Sequence, residues 1–370
     1  MRDFLAEQLL AAVMGWKPAD VAAERPLLQA LADHKYDDYQ QFAPGTRFLE
    51  SLAYWLDQFK SSGEREVMYR FFRSRLIFCS LAEMKHLVSI AYPDHIRPVL
   101  LARAGRETGL NPWHMGRIAA TPQFRALQRQ TLFLGLSDGA RTDAFRRANS
   151  DDLTHEQVRQ SHELAEQRVE KLLEKLAKGL TDILGEKQAR ECCRFRSIVL
   201  LDDFSASGLS YIRPEGDVYD GKVGSFLTTL FERDSKIAQL VDMKDLEVLV
   251  VLYMATHTAK AYLELHLQAI CNPVGVASRV IVVHPLAEEV RIKQGDDPQL
   301  DAIIEAYYDA DNETASTRIG GTDLKYGFAW CGLPLVLSHN TPNNSIGLLW
   351  ADGTAMRSLF PRITRHRDRV

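Results

Sequence analysis

The sequence predicts an α/β protein: a mainly parallel sheet in the C-terminal part, preceded by an all-α region. Three observations carry this. Up to about residue 130, apolar side chains recur at three- and four-residue spacing, the mark of helices with one buried face. From residue 131 onward, continuous apolar runs appear instead. Such runs suit strands buried on both faces, and stretches of helical periodicity separate them, as in parallel sheets covered by helices.

In the first region the helical spacing is visible in Phe4, Leu9, Leu10 and Val13, and again in Met68, Phe71, Phe72, Leu76 and Ile77. Turn signals at Gly15, Gly45, Ser61-Ser62-Gly63, Pro93 and Asn111-Pro112 separate the helices. The expected organisation is a helical region over 1–130, acting as a winged helix or a partner-docking surface, and a second domain over 131–370.

In that second domain the run 132–136 reads as a buried strand closing in Ser137-Asp138-Gly139, with a short helix after it. A long helix is expected over about 153–184, inserted into the domain. Ala165, Val169, Leu172, Leu173, Leu176, Leu180, Ile183 and Leu184 share one face of it. Strands are expected at 197–201, 247–254 and 279–284, helices at 257–270 and 298–308, and closing strands at 333–338 and 346–350.

Composition bounds the function classes. The chain has 370 residues, 46% of them hydrophobic and 25% charged, which suits a globular protein with a large core. The formal net charge of -4 supplies no global basic field for nucleic acid, although a local patch stays open. Five cysteines without a Cys-x-x-Cys pair point to a reduced, cytoplasmic protein. The longest apolar run, 248–255, is too short to span a bilayer, so no membrane role is expected.

The stretch 198–210, Ile-Val-Leu-Leu-Asp-Asp-Phe-Ser-Ala-Ser-Gly-Leu-Ser, carries the chemistry. It reads as a buried strand that ends in two acids and a loop of small hydroxyl residues around one glycine. In open α/β sheets, ligands sit at the carboxyl ends of the strands. Asp202 and Asp203 there suit a vicinal diol, or a Mg²⁺ shared with a polyphosphate. Ser205, Ala206, Ser207, Gly208, Leu209 and Ser210 can turn several backbone N–H groups and hydroxyls onto one anion. A diol and a phosphate one loop apart describe a ribose 5-phosphate.

This stretch resembles the phosphoribosyl pyrophosphate signature of type I phosphoribosyltransferases, and the resemblance implies a Rossmann-like fold. It also implies that Asp202 and Asp203 take the ribose hydroxyls and that the loop takes the 5-phosphate. Phe204 and Ser205 depart from the small aliphatic residues usual in that family. An earlier loop, Ser137, Asp138, Gly139, Ala140 and Arg141, stands where the family holds pyrophosphate, with Arg146 and Arg147 as further cationic donors. Near the C-terminus Asn340, Asn343 and Asn344 offer amides to a base edge, and Trp350 offers a stacking face. Gly221-Lys222, at a helix start after the loop, is a weaker phosphate candidate and reads first as a solvated lysine.

Taken in order, the Leu-Ser-Asp-Gly-Ala-Arg loop, the Leu-Asp-Asp-Phe-Ser-Ala-Ser-Gly loop and the Asn-Thr-Pro-Asn-Asn segment look like the phosphoribosyltransferase-like family of bacterial conflict systems. That family turns up beside anti-phage modules, including retron cassettes. The resemblance covers roughly 76–365. It implies a defence effector that binds phosphoribosyl pyrophosphate or a related nucleotide with Mg²⁺. The effector would transfer phosphoribose to a nucleotide or nucleic acid, or cleave it from one. A second reading is a non-catalytic nucleotide sensor whose helical half docks onto an ATPase or reverse transcriptase complex. A nucleobase salvage enzyme is a third.

Other chemistries lack their motifs. His257, Glu264 and His266 do not have His-Glu-x-x-His spacing, Ser207 is in no Gly-x-Ser-x-Gly elbow, and no P-loop is present. The basic tail at Arg357, Arg362, Arg365, Arg367 and Arg369 offers a contact to nucleic acid or a partner and reads first as a solvated end.

Overall fold

A computed structural model describes residues 3–164, 169–216, 218–232, 235–353 and 356–363. Ala165 and the tail residues Arg365, Arg367 and Arg369 lie outside the described residues.

In chain order the first half holds α1 (Asp3–Met14), α2 (Pro18–His34), α3 (Phe48–Asp57), α4 (Ser62–Arg75), β1 (Ile77–Cys79), α5 (Leu81–Ile90), α6 (Arg97–Thr108), α7 (Met115–Ala119) and α8 (Pro122–Arg129). Next come β2 (Thr131–Gly135), α9 (Thr142–Ala148), β3 (Val158–Gln160), α10 (Val169–Leu184), α11 (Glu186–Glu191), β4 (Ser197–Ser205), β5 (Arg213–Glu215) and β6 (Val218–Asp220). The chain continues through α12 (Lys222–Phe231), β7 (Glu247–Thr256), α13 (His257–Cys271), β8 (Ala277–Leu286), α14 (Pro298–Tyr307), α15 (Ala315–Arg318), β9 (Leu335–Leu337) and α16 (Gly347–Trp350). No described helix is long and apolar enough to cross a membrane.

The chain divides into two compact units. One is contiguous, Lys85–Leu286. The other joins Met1–Met84 to Ala287–Val370.

The contiguous unit is built on a five-stranded sheet in the order β3-β2-β4-β7-β8, every pair parallel. Its two central strands are the most apolar stretches of the chain. Ile198 to Leu201 and Val248 to Tyr253 are almost completely buried, as strands covered on both faces require. On one face Ile198, Leu200, Val248, Val250 and Leu252 pack in a common core with Leu176 and Leu180 of α10, Leu227 of α12 and Leu263 and Leu267 of α13. Each such side chain contributes about 1.5–3 kcal/mol by leaving water.

Of the helix expected over 153–184, the described residues hold Val169–Leu184 as α10. Residues 158–160 instead form the edge strand β3, which pairs with β2 through Phe133, Leu134 and Gly135. The buried Gln157 explains the break. Its Nε2 donates to the carbonyls of Gln128 and Thr131, tying this segment to the start of β2 and away from helical geometry.

In the other unit, α1 to α4 pack around aromatic side chains. Tyr36 meets Phe48, Phe72, Phe78 and Phe360 at ring-centroid separations of 4.6–6.0 Å. The C-terminal segment completes this core. Trp55 Nε1 donates to Leu348 O and Ser51 Oγ to Leu359 O, both at 2.8 Å.

Three expectations change here. Ile77, read as helical, opens strand β1. The strand expected at 333–338 is β9, which pairs with β1 in a separate two-stranded sheet. Residues 347–350 form one helical turn, closed by Ala351 N to Gly347 O at 2.9 Å, where a strand was expected. Four consecutive buried residues, Gly-Leu-Leu-Trp, carry no periodicity that distinguishes the two conformations.

Candidate functional site

The C-terminal end of β4 lies in the middle of the parallel sheet, flanked by the corresponding ends of β2 and β7. Successive side chains of a strand point to opposite faces, so Asp202 and Asp203 leave β4 on different sides.

Asp202 follows Ile198 and Leu200 onto the helix-covered face and is fully buried. Its Oδ1 accepts from Ser137 Oγ at 2.5 Å. Its Oδ2 accepts from Lys222 Nζ at 2.6 Å and lies 2.9 Å from Tyr211 Oη, whose proton is shared with Phe204 O at 2.8 Å. Burial, then the charge of Asp203, pushes the Asp202 carboxyl above the usual carboxylate range, while Lys222 and Ser137 pull it back. Lys222 also sits over the Tyr211 ring, 5.0 Å from its centroid. Burial together with the two acids holds the Tyr211 phenol protonated, well above its ordinary value.

Asp203 is partly exposed on the other face. One carboxylate oxygen accepts from Phe204 N at 2.8 Å. Its carboxylate lies against Gly139: a Cβ placed there would fall 2.4 Å from Oδ2 and 2.5 Å from Cγ. Glycine at 139 is therefore required by close approach. The register sets Asp202 opposite Leu252 and Phe204 opposite Met254, so Tyr253 is the neighbour of Asp203 across the sheet. Tyr253 is buried, and its hydroxyl donates to Ala140 O at 2.7 Å. The loop expected to hold pyrophosphate is thus joined to the acid pair of β4 through Ser137 on one face and Gly139 on the other, and to β7 through Ala140.

Arg141 closes the first loop in a left-handed conformation, φ 47°; burial, then Asp202 and Asp203, hold the Tyr253 phenol above its ordinary value, and the Arg141 cation opposes them. Arg146 and Arg147 both pair with Asp143 on their own helix. Asp143 therefore already neutralises part of the charge expected to meet phosphate.

The second loop is held by its carbonyls. Gly208 O accepts from Tyr211 N and Ile212 N, Ser210 O from Lys222 N, and Tyr211 O from Val223 N and Gly224 N. Ala206 O accepts from Thr256 Oγ1 at 2.6 Å, and that threonine also caps α13. Ser205 Oγ takes Gly208 N at 3.1 Å, and Ser207 Oγ takes Leu209 N at 3.4 Å. The N–H groups of Ser207 and Ser210 have no partner among the described residues. With its carbonyls turned to α12 and α13, the bend offers donors outward, the polarity an anion needs. Gly208 has φ +82°, and a Cβ there would meet Tyr262 Cδ1 at 2.5 Å, so glycine is doubly required.

Lys222 was expected to be solvated and instead forms the ion pair with Asp202. Tyr211, Tyr253, Thr256 and Tyr262 were not read as site residues. The glycine before Lys222 was the available signal. Gly221 has φ +93°, and a Cβ there would lie 2.6 Å from Tyr211 O, which is what brings α12 back onto the loop.

The amides near the C-terminus belong to the other unit. Asn344 Nδ2 donates to Phe328 O at 3.2 Å. Asn340 exchanges hydrogen bonds with the backbone of Ile363. Trp350 is 5% exposed, with its indole N–H on Ser345 O, so its ring is part of that unit's core. Asn343 is partly buried, and its carbonyl accepts from Phe328 N at 2.6 Å.

Mg²⁺ is implied by the phosphoribosyltransferase resemblance. Among the described residues no three His, Cys, Asp or Glu side chains gather into a cage. Asp202 does not fit as a ligand, because its oxygens already serve an ammonium and two hydroxyls. Asp203 fits as a single carboxylate partner to a cation carried on a polyphosphate.

A family model described as PRTase-CE matches residues 52–362. No curated protein and no solved structure matches the chain.

Proposed function

Because the chain belongs to the PRTase-CE family, a phosphoribosyltransferase-like family, we propose that the end of β4 binds the ribose 5-phosphate of phosphoribosyl pyrophosphate or of a related nucleotide. The observation that supports this most is the joining of the 137–141 loop to the acid pair, through Ser137 on Asp202 and Gly139 against Asp203.

In this reading Asp203 accepts from a ribose hydroxyl, and the outward N–H groups of Ser207 and Ser210 take the 5-phosphate. Arg141 and the 137–140 backbone take the pyrophosphate. Mg²⁺, when bound, supplies charge neutralisation on that pyrophosphate. Transfer breaks the bond from the anomeric carbon to pyrophosphate oxygen as the acceptor's nucleophile bonds to that carbon. Pyrophosphate leaves with the electron pair. The transition state resembles an oxocarbenium ion, and the chain contributes positioning and charge stabilisation.

The acceptor class, a nucleotide or nucleic acid, and an effector role in anti-phage defence belong to the proposal. Toxicity on expression beside neighbouring defence genes tests that role. The decisive experiment for the site is calorimetry of the full chain with phosphoribosyl pyrophosphate and Mg²⁺. Asp203→Asn should abolish binding without unfolding the protein, and undiminished binding would overturn the assignment.

A nucleotide sensor without turnover is the second reading. It is favoured by the internal locking of Asp202, which leaves Asp203 as the exposed member of the pair. Binding without pyrophosphate release from labelled ligand would select it.

A further inference from the structure

Away from the acid pair, the same unit presents one tryptophan almost wholly to solvent. Trp113 is 89% exposed, and Met115 beside it is 48% exposed. Their loop is a built structure. Asn111 accepts from Trp113 N through its side chain at 3.0 Å and from His114 N through its carbonyl at 2.9 Å. His114 O accepts from Arg117 N and Ile118 N, opening α7. Ile118 is buried against Gly105 of α6, where a Cβ would lie 3.1 Å from Ile118 Cδ1. The backbone is fixed, yet the indole contributes almost nothing to the core.

The sequence around it carries charge of one sign, while among the described residues acids from neighbouring segments reach only Gln128 and Arg129 near the end of α8. Residues 110–129 contain no aspartate or glutamate. Arg106 lies in the last turn of α6, Arg117 in α7 and Arg125 in α8, all exposed, and the exposed His114 immediately precedes α7. Among the described residues none of these three arginines enters an ion pair. The nearest acid in sequence, Glu107, is spent on Arg103 and Arg196.

This surface is distinct from the proposed ligand site. The Arg103 guanidinium of α6 donates to the carbonyls of Arg196 and Asp245, which precede β4 and β7. The helices therefore lie at the amino-terminal ends of the strands, and the acid pair lies at the carboxyl ends.

We infer that the α6–α7–α8 surface docks single-stranded nucleic acid, with a base stacked on Trp113 and the backbone phosphates on Arg106, Arg117 and Arg125. An accessible indole on a surface that also carries exposed arginines is the combination that single strands use, because every base has a stacking face and the phosphates supply the countercharge. A duplex hides its base faces and cannot use the indole. The surface gives the chain a local nucleic-acid contact despite its overall charge of -4.

The test is fluorescence anisotropy of labelled single-stranded DNA and RNA oligonucleotides with the full chain, with duplex DNA and polyglutamate as competitors. Trp113→Ala should weaken single-strand binding by about 5- to 100-fold, and Trp113→Phe should restore most of it. Arg117→Ala with Arg125→Ala should flatten the salt dependence by about 1.4 units of slope at most. Asp203→Asn should leave oligonucleotide binding unchanged, which separates this proposal from the ligand-site reading. Folding of the variants is followed by circular dichroism. Undiminished binding in Trp113→Ala, or displacement by polyglutamate or duplex as effective as by single strands, would overturn the inference.

Discussion

Ser137 donates to the Oδ1 of Asp202, a residue 65 positions further along the chain. One hydroxyl thereby fixes the loop after β2 onto the end of β4. On the other oxygen of the same carboxylate, Lys222 and Tyr211 fix α12 and the 206–210 bend. Asp202 acts as a strut between two loops, and its neighbour Asp203 carries the exposed charge.

Removing the counter-ion tests the strut. Lys222→Met leaves the buried carboxylate without its cation. The loss should be about 2–3 kcal/mol at neutral pH, below the full cost of breaking a buried pair because Lys222 is 35% exposed. The pH dependence has a definite sign. The Asp202 carboxyl is already raised in the fold, and losing Lys222 raises it further. The variant's deficit should therefore be smallest in acid, where the group is protonated in both states, and should grow as pH rises. Denaturant melts across pH check this, and a deficit independent of pH would refute it.

Close packing against Asp203 gives the second prediction. Gly139→Ala places a methyl 2.4 Å from Asp203 Oδ2 and forces the carboxylate or the loop aside. Binding of phosphoribosyl pyrophosphate should weaken by at least about tenfold, or about 1.4 kcal/mol, with the fold retained. Calorimetry beside a thermal melt separates the two effects.

Gly208→Ala meets two obstacles, a φ of +82° and the Tyr262 ring. A stability loss of about 2–3 kcal/mol is expected. Tyr262→Ala in the same background should recover only the part due to collision, since it leaves the backbone strain. Denaturant titration of the single and double variants reads both parts.

Thr256 ties two elements with one hydroxyl, donating to Ala206 O and accepting from Ala259 N. Thr256→Val keeps the shape and removes both bonds. It should cost about 1–2 kcal/mol and loosen the 206–210 bend. Faster amide exchange at Gly208, Tyr211 and Ile212, whose N–H groups are hydrogen-bonded within the bend, is the measurement.

How far the sequence exposed this arrangement depends on what each residue packs against. Ile198 to Asp203 were legible because a run buried on both faces has a plain pattern and ends in acids. The loop at Ser137 to Arg141 was legible for the same reason. Strand β3 was not: three residues cannot display an alternation, and Gln157, which sets them in place, acts through distant carbonyls. Lys222 was misread as solvated because its partner is 20 residues away and only the turn at Gly221 brings them together. Trp350 invited a stacking role because composition does not show that its indole is enclosed.

The pairing of β1 with β9 has a consequence for biosynthesis. Residues 85–286 are contiguous and can acquire their five-stranded sheet on the ribosome as soon as β8 has emerged. Helices α1 to α4 must wait longer. Ile77, Phe78 and Cys79 have no partner strand until Leu335, Val336 and Leu337 are translated, and the aromatic cluster around Tyr36 lacks Phe360 until later still. A segment synthesised before residues 85–286 is thus completed after them, and in the interval its apolar faces are the natural clients of a nascent-chain chaperone.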